Sequence, residues 1–407
     1  MSTANAYEIY HIDLDEGISD LTVPEGSSGI AIEVNRGPRP VGFLLAPYPP
    51  GTAFSAPDIE TWIRREVTEE CLNQPVTSVS SNAPMPKVTV AVCTKDHPDL
   101  LKRCLTALTR MAIPPGANKP DILVVDNASK TSETRDVASS FGDVRYVLER
   151  KTGLNFARNR ALREATGEIL AFIDDDAVVD VTWLTGLSEA WAMEPAAGAF
   201  AGQTLPLKLE TEAQIVVETM GGFRKGFLPI VFRKEHPADP LYPCSTAFGN
   251  GCNMAFKVDV MRKIGGFDIA LDMGAALPGG GDLDALYSVV RNGYDLVYEP
   301  KMLVRHEHRR DMAGLRRQIR RSWGIGCMAF LTKIRDTDPE MNVKARHFIR
   351  WWMKDMMREL VHPMPKRRTM PKALLLQQFI GALIALTGTY DRCKTIAERI
   401  SSANAES

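Results

Sequence analysis

The stretch ILAFIDDD, residues 169–176, decides the fold class of this 407-residue chain. Five apolar residues that stop at a cluster of acids are typical of a strand that is buried on both faces of a parallel sheet. The acids then lie at the carboxyl end of the strand, and open α/β sheets bind their ligands at that edge. The sequence therefore predicts a ligand site directly after Ile173.

The three acids of this stretch do not all face the same way. Side chains two positions apart share a face of a strand, so Asp174 and Asp176 converge while Asp175 points elsewhere. Carboxylates this close repel one another unless a cation lies between them, and Mg²⁺ or Mn²⁺ accepts oxygen ligands and leaves positions for substrate phosphates. A solvated acidic turn is the alternative, because most short runs of charge are solvated. We favour a site for a divalent cation.

Buried strands and amphipathic helices alternate around the acidic strand. A helix is predicted to begin at Pro98. A second helix is predicted over Phe156–Ala165, with Gly167 as the residue that terminates it. This βαβ alternation predicts a parallel sheet covered on both faces. The predicted strands before the acidic one are Val88–Val92, Ile122–Val125 and Val144–Leu148.

The chain is long enough for about two to three domains, and its composition, 44% hydrophobic and 24% charged, is that of a globular protein. We predict a small β-rich domain over residues 1–84, a central domain over residues 85–330 and a basic, helical region over residues 331–407. The first domain is expected to contain a helix over Pro57–Leu72 and to end in a linker over residues 80–86. Its predicted strands are Tyr7–Leu14, Ile30–Val34 and Val41–Leu45.

Positive charge is concentrated near the C-terminus. The net charge is −1, yet residues 301–372 contain 19 Lys and Arg against 7 Asp and Glu. Such a region suits anionic lipid head groups, nucleic acid or an anionic substrate. Apolar and aromatic residues interleaved with Lys and Arg over residues 347–360 suit a helix in a membrane interface, and packing of that helix on the core is the alternative. No stretch reaches the ~20 apolar residues of a membrane-spanning helix.

Cysteine usage and the N-terminus bear on the compartment. The seven cysteines form no CxxC pair, and no apolar stretch near the N-terminus resembles a signal peptide. We therefore predict a cytoplasmic protein, with peripheral contact to the cytoplasmic face of the membrane as a further expectation.

Six segments together resemble a known family. In order and spacing they resemble the motifs of family 2 glycosyltransferases with the GT-A fold, over roughly residues 86–325. The resemblance implies an α/β fold with a Rossmann-like mixed sheet, to which the small N-terminal domain and the helical C-terminal region are added. The segments are Cys93–Asp96, Asp126-Asn127, Asn155–Asn159, Asp174–Asp176, Gly279–Asp284 and Val304–His308.

The resemblance assigns roles at the donor side of the site. It implies that a divalent cation, Mn²⁺ or Mg²⁺, is bound by a DXD-type motif and a histidine, here Asp174, Asp176 and His306. It also implies that Asp282 is the catalytic base of an inverting transfer. The donor-binding residues that it implies are Thr94, Asp96, Asp126, Arg158, Asp174 and Asp175.

Several of these residues have simpler alternatives. Asp126 is also placed to cap a helix near Ser129, and Arg158 alone reads as a surface charge. The candidates for acceptor binding are Asn253, Asp284 and Trp323. For Asp284 a helix cap is the alternative, and for Trp323 it is core packing.

One position departs from the family pattern. The family places a glutamate before the catalytic aspartate, whereas this chain has Gly281 before Asp282. The base is retained, but its usual acidic neighbour is missing. Asp284 is a candidate to compensate, and loss of activity with retention of donor binding is the alternative.

The function predicted from these residues is transfer of a sugar from a nucleotide-sugar, with UDP as the expected nucleotide. The acceptor is expected to be a glycan or a lipid-linked glycan, in bacterial polysaccharide or cell-envelope synthesis. The alternative is a non-catalytic nucleotide-sugar-binding homologue or scaffold. A nucleotidyltransferase would need a Gly-rich basic loop after the first strand, which Cys93–Pro98 is not, and aromatics at helical spacing argue against a nucleic-acid partner. The sugar, the linkage, the oligomeric state and the role of residues 1–84 are not predicted.

Overall fold

The computed structural model of the protein describes residues 6–74, 85–233, 248–362 and 370–402. The strands are β1 Ala6–Asp13, β2 Leu21–Thr22, β3 Ser27–Arg36, β4 Arg39–Pro47, β5 Ala53–Phe54, β6 Val88–Thr94, β7 Asp121–Asn127, β8 Val144–Glu149, β9 Ile169–Ile173, β10 Ala177–Val179, β11 Ala199–Pro206, β12 Ile230–Phe232, β13 Asn253–Lys257 and β14 Leu296–His306. The helices are α1 Ala56–Glu66, α2 Glu69–Leu72, α3 Pro98–Leu108, α4 Glu133–Ser139, α5 Leu154–Glu164, α6 Trp183–Met193, α7 Glu212–Thr219, α8 Val258–Lys263, α9 Gly281–Arg291, α10 Met312–Gln318, α11 Cys327–Thr337, α12 Asn342–Val361, α13 Lys372–Leu386 and α14 Thr389–Ser402, with a π-helix over Ile319–Gly326.

A mixed sheet forms the centre of the molecule. Among the described residues it has nine strands in the order β10-β14-β11-β13-β9-β6-β7-β8, with β12 paired to β14. The run β9-β6-β7-β8 is parallel throughout, whereas β13 lies antiparallel between β9 and β11. The predicted α/β class with a mixed sheet is confirmed.

The acidic strand has the predicted bounds, since β9 runs from Ile169 to Ile173 and every residue in it is buried. The prediction that Gly167 ends the preceding helix is wrong, because α5 ends at Glu164. Gly167 has a packing role instead. A Cβ there would lie 2.6 Å from the carbonyl oxygen of Lys87, so only glycine allows the chain to enter β9 this close to β6.

The N-terminal residues form a separate three-stranded sheet, β1-β3-β4, with its own apolar core. The single helix predicted over Pro57–Leu72 is in fact two helices. Val67 adopts an extended conformation, and the Thr68 hydroxyl then caps α2 by accepting from the Cys71 amide. Most of the predicted linker lies outside the described residues, and the domain boundary at residue 84 stays a prediction.

Buried ion pairs hold the N-terminal sheet against the central domain. The Arg39 guanidinium donates to Glu189 and Glu299, at 2.7 Å each. The Arg305 guanidinium donates to Glu33 at 2.6 Å and to Asp180 at 3.0 Å. Since Arg305 lies one residue before His306 on β14, the small sheet is anchored next to the predicted metal ligand.

The C-terminal helices pack on the main apolar core of the molecule. Helix α12 covers the core with Ala345, Ile349 and Met356, while Trp351 and Met357 on its other face are each 53% exposed. The core-packing alternative is thus correct for one face of the aromatic basic helix, and its place in a membrane interface stays a prediction. One of its faces packs on the core, and the other faces solvent with large apolar side chains.

The described residues contain six cysteines, all of them free thiols, and Cys244 lies outside these residues. Within the same part of the chain, no single helix has the length and apolar composition of a membrane span. Helices α13 and α14 reach that length and composition only together, and they meet at a bend of 62°.

Candidate active site

Strand pairing brings the acidic triplet to the end of β14. Strand β10 begins directly after Asp176, and its first residue, Ala177, pairs with His306. The Glu307 amide also donates to the carbonyl oxygen of Asp176, at 3.0 Å. The backbone therefore places His306 beside Asp176, although 130 positions separate them in the sequence.

Asp176 and His306 form a buried pair of opposite charge. The Oδ1 atom of Asp176 lies 3.2 Å from Nε2 of His306, but the two are not aligned as a hydrogen bond, and this oxygen is buried without a hydrogen-bond partner among the described residues. Burial would raise the pKa of Asp176, but the charge of His306 lowers it. Burial and then the neighbouring Asp176 raise the pKa of Asp174. The edge thus carries an unsatisfied carboxylate oxygen where positive charge is stabilised.

A second histidine lies behind the first. Nδ1 of His306 is 3.4 Å from Nδ1 of His308, and Nε2 of His308 is 2.6 Å from Oε1 of the buried Glu218. Burial, and then the proximity of His306, lower the pKa of His308 to about 3. The ring of Phe223 contacts both imidazoles edge-on, with centroids 5.2 Å apart. Glu218 and Phe223, which fix the orientation of the histidines, were not predicted, because no motif in the sequence marks them.

The predicted metal ligands are only partly brought together. No three His, Cys, Asp or Glu side chains in the described part of the chain converge closely enough to form a cluster that could hold a metal. Asp176 and His306 lie side by side. Burial raises the pKa of Asp174, and Asp176 lies close enough for its charge to raise it further, while the charge of Arg158 opposes that rise.

Asp175 turns to the loop that follows β6. Its Oδ2 atom accepts from the Thr94 hydroxyl at 2.5 Å and lies 3.1 Å from Nδ1 of His97. Asp175 therefore connects the acidic turn to the loop that carries Thr94. Its own contact with a donor stays a prediction.

The loops after β6 and β7 are fastened to each other. Asp96 adopts a left-handed conformation and accepts from the Lys130 amide at 2.7 Å. Buried Asp126 accepts from the Ser129 amide at 2.9 Å and from the Tyr146 hydroxyl at 2.8 Å. Because α4 begins only at Glu133, Asp126 is not a helix cap. A carboxylate has about four acceptor positions, so Asp126 retains capacity to accept from a nucleoside base.

Arg158 is the cation at the centre of the site. It is 3% exposed, so the alternative of a surface charge is wrong. Its Nη1 atom donates to Asn155 at 3.0 Å and to Asp272 at 2.9 Å. Burial would lower the pKa of Arg158, but the negative charges of Asp272, Asp174 and Asp282 raise it. Asp272 had no role in the sequence-based prediction, because nothing in its local sequence marks it.

Asp282 lies in the first turn of α9 and is partly exposed. Its Oδ2 atom accepts from the Gly251 amide at 3.1 Å. A Cβ at Gly251 would lie 3.0 Å from this oxygen and 3.2 Å from Nη2 of Arg158, so the glycine allows both groups to approach. Burial lowers the pKa of nearby Lys225 to about 8, although Asp282 opposes the shift. The predicted base thus lies between two cationic side chains.

Asn253 is not placed to bind an acceptor. It is fully buried on β13, where it accepts from Nε1 of Trp183 at 2.9 Å. Its amide nitrogen donates to the carbonyl oxygens of Gln203 at 2.9 Å and Met302 at 2.6 Å. The structure corrects the prediction, because Asn253 joins β13 to neighbouring elements and retains no free hydrogen-bonding group for a ligand.

Asp284 is likewise engaged inside the protein. It is 4% exposed and pairs with Nζ of Lys333 on α11 at 2.7 Å. It is neither the cap of α9, which begins after Gly280, nor an acid that faces the site. Both the acceptor role and the compensating role predicted for Asp284 are therefore corrected.

Trp323 lies closer to the site than the alternative of core packing implied. It is on the π-helix, and its ring centroid is 6.2 Å from that of Phe223, which in turn contacts His306. It also packs against the apolar cluster of α7, α10 and α13. Its contact with an acceptor stays a prediction.

A mixed α/β sheet with acids at its edge is the arrangement that the resemblance to GT-A glycosyltransferases predicts. Residues 89–265 match the family described as Glycosyl transferase family 2. The chain therefore contains a family 2 glycosyltransferase domain over those residues.

The chain is also similar to proteins that are named as glycosyltransferases or as a polysaccharide biosynthesis protein. The chain is 24% identical over 307 residues to the pre-mycofactocin glycosyltransferase of Mycobacterium tuberculosis, a match that covers 71% of this chain and 60% of the relative. It is 26% identical over 155 residues to the glucosyl-dolichyl phosphate glucuronosyltransferase of Haloferax volcanii, covering 36% and 45%. It is also 34% identical over 106 residues to the succinoglycan biosynthesis protein ExoM of Rhizobium meliloti, covering 25% and 34%. The chain thus spans about half the length of the first two relatives.

Among solved structures, the chain resembles the mannosyltransferase PcManGT from Pyrobaculum calidifontis, determined in complex with GDP-Man and Mn²⁺. The TM-score is 0.47 and the sequence identity 21%, and the alignment covers 82% of this chain and 90% of the other.

Proposed function

We propose that this chain is an inverting glycosyltransferase that moves a sugar from a nucleotide-sugar to a hydroxyl group of an acceptor, with Asp282 as the base. The observation that carries the proposal is the partly exposed Asp282 carboxylate beside buried Arg158, at the same sheet edge as the Asp176 and His306 pair. Asp282 supplies a partly exposed carboxylate close to the cations of Arg158 and Lys225. The Asp176 and His306 pair supplies an imidazole and a carboxylate oxygen without a hydrogen-bond partner among the described residues.

The residues at the edge fit a divalent cation. Asp176 has a buried oxygen without a hydrogen-bond partner, and His306 supplies a nitrogen 3.2 Å from it. Two protein ligands are enough, because Mg²⁺ keeps positions for substrate phosphates and water. Asp176 and His306 would hold the cation with Asp174 beside them, and the cation would offset charge that develops on the departing nucleoside diphosphate.

The remaining steps belong to the side chains of this chain. Asp282 takes the proton of the acceptor hydroxyl as its oxygen bonds to the anomeric carbon. The bond from that carbon to the phosphate oxygen breaks on the opposite face, and the nucleoside diphosphate leaves. Arg158 is proposed to stabilise the phosphate charge. A single displacement inverts the anomeric centre. Asp126 is proposed to accept from the base, with UDP as the expected nucleotide.

Glycan or lipid-linked glycan acceptors, in cell-envelope or polysaccharide synthesis, complete the proposal. The relatives support this setting, because one is a glucosyl-dolichyl phosphate glucuronosyltransferase and another is a succinoglycan biosynthesis protein.

Asp282→Asn tests whether the chain is an enzyme or a binder. The Asn oxygen can still accept from the Gly251 amide, so the fold and donor binding should be retained. Loss of a general base should lower turnover about 10²- to 10⁴-fold. The matched control is Asp259→Asn, an exposed acid on α8. Unchanged donor binding together with wild-type turnover in Asp282→Asn would exclude this residue as the base.

We also propose peripheral contact with an anionic membrane surface. The α12–α13 face is the exposed surface formed by Trp351, Met357 and Val361 on α12 and by Leu376, Leu383 and Ile384 on α13. The cationic residues Lys344, Arg350, Lys354 and Arg358 on α12 are exposed, whereas both acids of that helix, Asp355 and Glu359, are buried. An apolar face bordered by cations without exposed acids matches an anionic bilayer at the cytoplasmic side.

Vesicle sedimentation tests the α12–α13 face. Wild-type protein should sediment with phosphatidylglycerol-containing vesicles at low salt and not with pure phosphatidylcholine vesicles. Trp351→Ser should weaken sedimentation, whereas Ile113→Ser, which changes an exposed apolar residue elsewhere, should not. Absence of wild-type sedimentation with the anionic vesicles would contradict membrane contact.

A further inference from the structure

Position 281 has no room for the acid that the family pattern places there. A Cβ on Gly281 would lie 2.3 Å from Oδ2 of Asp272 and 2.4 Å from Nδ2 of Asn155. Real Cβ atoms do not approach other heavy atoms this closely. The space beside the start of α9 is therefore filled by a carboxylate, but the carboxylate comes from Asp272.

Asp272 is held firmly in this position. It is 8% exposed and adopts a left-handed conformation with φ of 54°, which is unfavourable for most residues with a Cβ. Its carbonyl oxygen accepts from the Leu154 amide at 2.9 Å, at the start of α5. Its Oδ2 atom accepts from the Gly281 amide at 3.1 Å and from Nη1 of Arg158 at 2.9 Å.

We propose that Asp272 supplies the carboxylate that position 281 lacks, and that it is a positioning residue for Arg158 and for the first turn of α9, which carries Asp282. The roles of Arg158 and Asp282 in this inference rest on the proposed function. A negative charge at a helix N-terminus is favourable, and the same charge pairs with the guanidinium. The Oδ2 atom of Asp272 thus links Arg158 to the N-terminus of α9, the helix that carries Asp282.

The negative charge of Asp272 has a consequence for Asp282. The guanidinium of Arg158 is attracted by the negative charges of Asp272, Asp174 and Asp282. With the Asp272 carboxylate in place, part of the positive charge is neutralised away from Asp282. Without it, the guanidinium of Arg158 is free to turn toward Asp282, and a carboxylate that is engaged by Arg158 is no longer free to meet the acceptor hydroxyl.

The test is a charge transplant between positions 272 and 281. Asp272→Gly removes the carboxylate and relieves the left-handed residue, and Gly281→Glu adds a carboxylate where the structure has no room. Each single variant should unfold at a lower temperature than the wild type. The double variant Asp272→Gly/Gly281→Glu should unfold at a higher temperature than Gly281→Glu alone. The cycle is repeated with Asn155→Ala in every member, because Asn155 is the other neighbour of the added Cβ.

Turnover is measured on the same variants with the donor that the wild-type enzyme uses. Asp272→Gly should lose at least tenfold in kcat, and Gly281→Glu should lose as much. The double variant should regain at least half of the loss on a logarithmic scale, in at least one of the two Asn155 backgrounds. A purely structural Asp272 would not be rescued by a carboxylate added nine positions away in the chain.

The outcomes separate this inference from the proposed function. Recovery in the double variant supports the placement of the Asp272 charge, and a double variant no better than the worse single variant in both backgrounds, in stability and in kcat, overturns it. If wild-type protein releases nucleotide from no donor, the proposed function fails, and the unfolding cycle alone then decides whether Asp272 takes the place of an acid at position 281.

Discussion

Arg158→Met should destabilise the protein severely, because Arg158 is the one cation that pairs with the Asp272 carboxylate among the residues that the structure describes. Methionine keeps an apolar stem near the Phe267 ring, which the guanidinium carbon approaches to 5.6 Å from the centroid. The Arg158 side chain is 4% exposed and that of Asp272 is 10% exposed, with 2.9 Å between their atoms. Removing one partner of a buried pair costs about 3–5 kcal/mol, because the other charge is left uncompensated.

The loss should depend on pH in a defined direction. Burial already raises the pKa of Asp272, and Arg158 opposes that rise. In Arg158→Met the pKa of Asp272 rises further above its unfolded value of about 3.9. An acid whose folded pKa is raised destabilises the fold increasingly as pH rises through the interval between the two values. The difference in unfolding free energy between wild type and variant should therefore be larger at pH 7.5 than at pH 5.

Urea denaturation followed by tryptophan fluorescence at pH 5 and 7.5 measures this difference. The matched control is Arg163→Met on the same helix, since the Arg163 side chain is 61% exposed and lies 3.3 Å from Glu149. An exposed pair is worth about 0–1 kcal/mol. A cost for Arg158→Met within 1 kcal/mol of that for Arg163→Met, or one that is smaller at pH 7.5 than at pH 5, would refute the description of Arg158 as the central buried cation.

Three further changes test other parts of the structure. Asn253→Ala should lower the free energy of unfolding by on the order of 4 kcal/mol in urea denaturation, because Trp183 Nε1 and two buried carbonyl oxygens lose their partner. A decrease below 1 kcal/mol would mean that the amide is not buried as described. Burial would raise the pKa of Glu33, but its partners His11 and Arg305 lower it to about 2. The ionised carboxylate therefore contributes up to about 3 kcal/mol of folding stability above pH 4.5, and this contribution is lost as pH falls toward 2. Glu33→Gln should lower the thermal stability more at pH 7 than at pH 3, and an equal loss at both pH values would contradict the pair with Arg305. Asp176→Asn should abolish the extra thermal stabilisation that Mn²⁺ gives in the presence of a nucleoside diphosphate, and retained stabilisation would exclude Asp176 as a ligand.

The sheet and its acidic edge could be predicted because their signals are local. The run Ile169–Ile173 is apolar throughout and stops at three acids, so its burial and its bounds follow from the sequence. The break between α1 and α2 was missed, since the apolar spacing continues through Val67 and only its extended backbone interrupts the helix. Tertiary packing decided that point.

Residues that act through partners distant in the sequence could not be assigned from it. Asn253 lies in a glycine-rich segment typical of a ligand loop, but its partners come from β11, β14 and α6, and their arrangement exists only in the folded chain. Asp272 was missed for the same reason. The departure at Gly281 was visible in the sequence, yet the carboxylate that fills its place is nine residues earlier and is brought there by a left-handed backbone.

The most direct test of the account is nucleotide release from a panel of UDP-, GDP- and dTDP-sugars, measured with Mn²⁺, with Mg²⁺ and with EDTA. Thermal unfolding is followed on the same samples. The account predicts that one donor yields its nucleoside diphosphate with either or both metals, that EDTA abolishes release, and that Asp282→Asn releases at least 100-fold more slowly while it is still stabilised by the donor. Release that EDTA leaves unchanged would contradict the cation site at Asp176 and His306, and the absence of both release and stabilisation with every donor would contradict the assignment of the acidic edge.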